Sequence, residues 1–143
     1  MKSYIISASL QPGCYRHIQI SAKATLFDLH RAIIDAFTFD DDHAHAFFMD
    51  NRAWSGEDCY YADFIEDEDR FTIDFTLEQA GVTVGKQFKY VFDFGDDWRF
   101  QLKALKALDE ETGEPVIVRT AGDAPIQYPS WDEEEYDDGD EDE

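Results

Sequence analysis

Five side chains in this sequence have the types and spacing to do chemistry. His43-Ala44-His45 sets two imidazoles on one face of an extended segment, and Asp93-Phe94-Gly95-Asp96-Asp97-Trp98 gathers three carboxylates around a glycine. Imidazole with carboxylate is a ligand set for a divalent cation. His43, His45, Asp93 and Asp96 are therefore the candidate metal ligands of a metal-dependent hydrolase or nuclease-like activity, with Asp41 and Asp42 near enough to orient the histidines. No acidic run has EF-hand spacing. The Asp93-Phe94-Gly95 triplet of a kinase lacks its glycine-rich loop and catalytic-loop aspartate here. No serine sits in a nucleophile elbow. Cys14 and Cys59 form no C-x-x-C pair and read as two reduced thiols, with Arg16 the one base near Cys14.

The bland alternative for the same aspartates is the bend of a hairpin. Phe88, Tyr90, Phe92 and Phe94 alternate before it, and Trp98, Phe100 and Leu102 after it. A loop at 95–97 sets Phe94 against Trp98, Phe92 against Phe100 and Tyr90 against Leu102, all on one buried face. Asp93 then lies outside, opposite Arg99, and Gly95 supplies the tight backbone angle.

Other elements frame this hairpin. Ser3 to Leu10 and Tyr15 to Ile20 flank Gln11-Pro12-Gly13 and predict an N-terminal hairpin. Thr25 and Asp28 open a helix over about 25–38, with Leu26, Leu29, Ile33 and Phe37 as its apolar stripe. His30 is expected at the boundary between helix and sheet. Residues 43–49 read as a strand, and Thr76-Leu77-Glu78-Gln79 as one turn closed by Gly81. The acid-rich stretch from Tyr60 to Arg70 reads as irregular. The fold class is α+β: one domain, mainly antiparallel sheet, one principal helix packed on it, and a C-terminal hairpin around Gly95.

Charge bounds the function. The chain has 143 residues with 33 acids against 12 bases, a net of −21. Ten acids lie in 132–143; without them 23 acids still face 12 bases. Phosphate-driven nucleic-acid binding is disfavoured. No apolar run is long enough to span a bilayer, and a cytoplasmic location is expected. Residues 1–130 form the domain, and 131–143 an acidic tail of disordered composition.

The order Thr25-Leu26-x-x-Leu29-His30-x-x-Ile33, then Phe37, Phe39 and His43-x-His45-x-Phe47, carries a resemblance. So does Gly85-Lys86-x-Phe88-x-Tyr90-x-x-Asp93-Phe94-Gly95-Asp96-x-Trp98. With Pro115-Val116 and Gly122-Asp123-Ala124-Pro125-x-Gln127-Tyr128-Pro129, the chain resembles the plasmid pRiA4b ORF-3-like family, also labelled insertion-element passenger proteins. The resemblance covers about residues 3–130. It implies a small α+β domain and a mobile-element context rather than a reaction. Other branches end in a glycine- and cysteine-rich stretch that is missing here.

The leading expectation is a non-enzymatic interaction domain, with no cofactor, that binds a basic protein partner or mimics nucleic-acid charge. Trp54, Asp96, Asp97 and Trp131 are its candidate contact residues. The metal-dependent activity is the alternative.

Overall fold

Alternating strands and one amphipathic helix leave one solution, a sheet with the helix on one face. The computed structural model describes residues 2–65, 68–125 and 127. The elements are β1 (Ser3–Gln11), β2 (Cys14–Ser21), α1 (Leu26–Ala36), β3 (His45–Phe48), β4 (Cys59–Tyr61), a 3-10 turn (Thr72–Asp74), β5 (Gln87–Phe92), β6 (Trp98–Leu108) and β7 (Val116–Ala121). All seven strands form one sheet in the order β4-β3-β5-β6-β1-β2-β7, every pairing antiparallel. Trp131 and the acidic tail lie outside the described residues.

The helix begins where its caps require. Thr25 Oγ1 accepts the Asp28 N–H at 3.1 Å, and Asp28 Oδ2 accepts the Thr25 N–H at 2.9 Å, a reciprocal capping box. At the other end buried Arg16 of β2 donates from Nε to the Ala36 carbonyl at 3.1 Å and lies over the Phe37 ring. A cation there satisfies an orphan carbonyl and complements the helix dipole. Arg16 is thus engaged by the helix end. Leu26, Leu29, Ile33 and Phe37 are buried against Tyr4, Ile6, Ile18, Tyr90, Phe100 and Leu102.

The hairpin of β5 and β6 departs from the expected register by two residues. Phe92 pairs with Trp98, Tyr90 with Phe100, and Phe88 with Leu102. The bend is therefore 93–97, and Val91, not Asp93, lies opposite Arg99. The left-handed residues are Asp93 (φ 64) and Asp97 (φ 58), while Gly95 has no positive φ. Aspartate tolerates that region because its carboxylate can bond the local backbone. Asp93 Oδ1 accepts the Asp96 N–H at 3.2 Å, closing such a turn. The longer bend sends Phe94 to the opposite face, against Trp54 and Tyr61. Asp93 turns inward, 5% exposed.

Three more differences follow from short or edge elements. β3 starts at His45, so His43 precedes it. β4 occupies part of the stretch expected to be irregular. β7, rich in β-branched residues, adds an edge strand beside β2. Thr76 and Gln79 do close a turn, with a Thr–Gln capping pair of their own, and Gly81 follows at φ 89.

After β7 the chain passes close to the first hairpin. A Cβ on Gly122 would lie 2.3 Å from the Gly13 carbonyl oxygen, and its φ is 78. Gly122→Ala should therefore cost more than ~1 kcal/mol in urea unfolding, whereas Gly113→Ala, open on all sides, should stay within ~0.5 kcal/mol. Equal costs for the two would contradict this close approach.

Candidate functional site

His30 occupies the apolar stripe of α1, four residues after Leu26 and three before Ile33, so its ring enters the core. It is fully buried, not at a boundary. His30 stacks on His45 of β3, ring centroids 3.7 Å apart and planes 13° from parallel. Its Nδ1 lies 2.6 Å from the Tyr90 hydroxyl and its Nε2 lies 3.0 Å from Asp41 Oδ1. A carboxylate only accepts, so Nε2–H donates to Asp41, and in the neutral ring Nδ1 then accepts from the Tyr90 hydroxyl. His45 Nε2 meets Thr72 Oγ1 at 2.8 Å. Burial pushes both imidazoles down to about 3; Arg31 adds to this for His30, and for His45 His30 lowers further while Asp41 opposes. Burial, then Asp41, holds the Tyr90 phenol well above its usual range.

The expected metal ligands separate into two environments. His45 faces the core, held by His30 and Thr72. His43 is half-exposed, with Nε2 3.6 Å from Asp93 Oδ2 and 3.8 Å from Asp42 Oδ1. Asp96 meets Asp93 through its backbone N–H. Among the described residues, no three or more His, Cys, Asp or Glu side chains are arranged to hold a metal ion.

The loop that carries Asp41 is fastened by Gln127, far along the chain. Gln127 Oε1 accepts the Asp40 N–H at 2.7 Å, and its Nε2 donates back to the Asp40 carbonyl at 3.2 Å. A side-chain amide can pair with a peptide in this way because it carries the same donor and acceptor. Spacing along the chain gives no hint of this contact. His30 does carry a signal, its place on the apolar stripe, although its polar ring favours the expected boundary position.

Of the expected contact residues, Trp54, Asp96 and Asp97 collect at the hairpin bend. Trp54 is 41% exposed and packs edge-on against Phe94. Its Nε1 donates to Asp97 Oδ1 at 3.4 Å, while Asp97 Oδ2 accepts from Arg99 Nε at 2.9 Å. Trp131 is outside the described residues.

A cleft of about 430 Å³ opens between α1 and β7. Ile18, Ile20, Ala32 and Ile117 form its apolar floor, and Asp28, Asp35 and Glu114 outnumber Arg31 along its walls.

A seven-stranded antiparallel sheet with one helix and a buried histidine pair defines a small, mostly β domain of the α+β kind. The chain belongs to the plasmid pRiA4b ORF-3-like protein family, whose family model matches residues 5–128. A curated relative, the uncharacterized protein y4hQ of Sinorhizobium fredii (strain NBRC 101917 / NGR234), is 24% identical over 117 residues, 81% of this chain and 59% of that protein. The chain thus spans 59% of that relative's length. The crystal structure of a protein of unknown function, MM3350 of Methanosarcina mazei Go1, superposes with a TM-score of 0.70 at 26% identity, covering 83% of this chain and 69% of that one.

The buried histidines set a pH dependence. Their folded values lie below the unfolded value of ~6.5, so the unfolded chain binds more protons as pH falls. Stability is full above pH ~6.5 and declines below it, toward pH 3. Between pH 6.5 and 5 the loss should be ~1–3 kcal/mol by urea unfolding, and smaller in His45→Phe. A flat profile in that interval would contradict neutral burial.

Proposed function

We propose that this chain is a non-enzymatic interaction domain that takes a basic, extended segment of a protein partner along β7. One observation carries the reading: β7 is an edge of the sheet with no further strand beside it among the described residues, and Val116, Ile117 and Val118 are 47%, 44% and 49% exposed beside an acid-walled cleft. A helix about 10 Å across covers roughly two strands of ~4.8 Å spacing. One helix therefore leaves much of a seven-stranded sheet to other covers, and β7 receives none among the described residues. An open edge offers unpaired backbone N–H and C=O groups, the template for strand addition. Alternate side chains of an added strand would meet Ile117 and the cleft floor. Lysine or arginine at other positions on that same face would meet Asp35 and Glu114, which line the same cleft and also favour encounter at long range.

The bend around Trp54 suits this partner less well. Asp97 is already paired with Arg99 and Trp54, and a second cation would have to displace them.

A fluorescein-labelled peptide repeating Val-Thr-Lys-Thr, which puts valine and lysine on one strand face, tests the proposal by anisotropy at 50 mM NaCl on the full chain. Asp35→Lys with Glu114→Lys, and separately Ile117→Lys, should each weaken binding at least about tenfold while moving the unfolding midpoint little, since these positions are at the surface. Neutralising the acidic tail should leave most of the binding. Affinity that follows the tail and ignores the cleft substitutions would contradict the assignment.

A further inference from the structure

Charge is partitioned within the fold. The seven strands contain no aspartate or glutamate, yet they hold six of the 12 bases: Arg16, Lys89, Arg99, Lys103, Lys106 and Arg119. Arg16 points to the helix side. Register places the other five on the opposite face, which Ala53 and Phe94 help cover over β3 and β5 and which is open over β6, β1, β2 and β7. Lys103 pairs with Ser7, Ser7 with His17, and His17 with Arg119, a row across β6, β1, β2 and β7. Lys106 lies beside Ile5 in the next row, and Lys89 beside Gln101 on the other flank. Arg99 has Asp97, but no carboxylate among the described residues forms an ion pair with Lys89, Lys103, Lys106 or Arg119. The row also has an aromatic border. Tyr15 stacks on His17 with centroids 5.0 Å apart, and the Arg119 guanidinium lies 6.0 Å from the Tyr15 ring. Burial, and then the Arg119 charge, holds the His17 imidazole below its usual value, as a cationic neighbourhood requires.

We propose that the acidic segment 132–143 of this same chain docks on this open face, across Lys103, Ser7, His17 and Arg119. Ten of its twelve residues are acids, the complement of a face with no acids in its strands. Reach permits the contact. The chain is held at Gln127, which pairs with Asp40 of the loop after α1, and the residues from there to Glu143 can span at most about 50 Å at ~3.3 Å each. That exceeds the length of β6, the longest strand, at roughly 36 Å. Net charge does not forbid it, because at physiological ionic strength the screening length is about 8 Å. The tail there responds to the face beneath it more than to acids on the helix side. A high effective concentration favours the chain's own tail over a free polyanion.

His17 is the reporter. Its titration and the backbone amide shifts are followed by NMR in 0.1 M NaCl on the full chain and on a variant with each Asp of 132–143 changed to Asn and each Glu to Gln. Docked carboxylates favour imidazolium, so His17 should titrate at least about 0.5 unit higher in the full chain. Amide differences should concentrate at Ser7, His17, Lys103 and Arg119, and fade in 1 M NaCl. Lys103→Gln with Arg119→Gln, both exposed, should abolish the difference between the two tails. Identical His17 titration with either tail would overturn the proposal. So would amide differences centred on α1 and β7, or differences that grow with protein concentration, which would place the tail on a second copy.

Discussion

Two imidazoles stacked face to face are the contact on which the rest of the arrangement depends. His30 comes from α1 and His45 from β3; Tyr90 of β5, Thr72 of the 3-10 turn and Asp41 of the loop after the helix supply their partners. The stack is stable only with neutral rings. Two positive charges 3.7 Å apart would repel by ~4 kcal/mol even at an effective dielectric of 20, before any desolvation cost. Leaving one of these buried polar atoms without its partner would cost ~1–3 kcal/mol. The network therefore fixes the helix over β3 and β5. Capping at Thr25 and the Arg16 bond to Ala36 then fix its two ends.

A helix held there leaves β7 uncovered, and the two faces of the sheet acquire opposite characters. On the helix side, carboxylates of α1 and of Glu114 look onto the apolar cleft. On the open side, strands without a single acid present lysine, arginine and histidine. A summary charge of −21 hides this division. The acids belong to the helix, the loops and the tail, so a basic ligand and an acidic one can each find a matching surface on one small domain.

The sequence made the helix legible because cap, stripe and length agree at Thr25, Asp28 and Leu26 to Phe37. It made the aromatic face of the second hairpin legible through period-two alternation. The register was not, because alternation is unchanged by a slip of two residues. What decided it was local: Asp93 and Asp97 adopt left-handed backbone and lengthen the bend. The carboxylate of Asp93 consequently lies inside, near His43, and not on the solvent side. His45 was legible as a chemically capable residue, but its partner came from His30, which a stripe position marks as buried and nothing marks as paired. Long-range clasps such as Gln127 on Asp40 leave no periodic trace at all. The edge strand β7 was not expected, although the β-branched run Val116-Ile117-Val118 is a strand signal that could have marked it.

The protonation state of the stacked pair tests the account most directly. Long-range ¹H–¹⁵N correlation spectra of the native chain at pH 6 resolve each ring nitrogen as protonated, unprotonated or part of an imidazolium. The account requires both rings neutral, with His30 carrying its proton on Nε2 toward Asp41 and a bare Nδ1 toward Tyr90. An imidazolium pattern for either ring at that pH would contradict it.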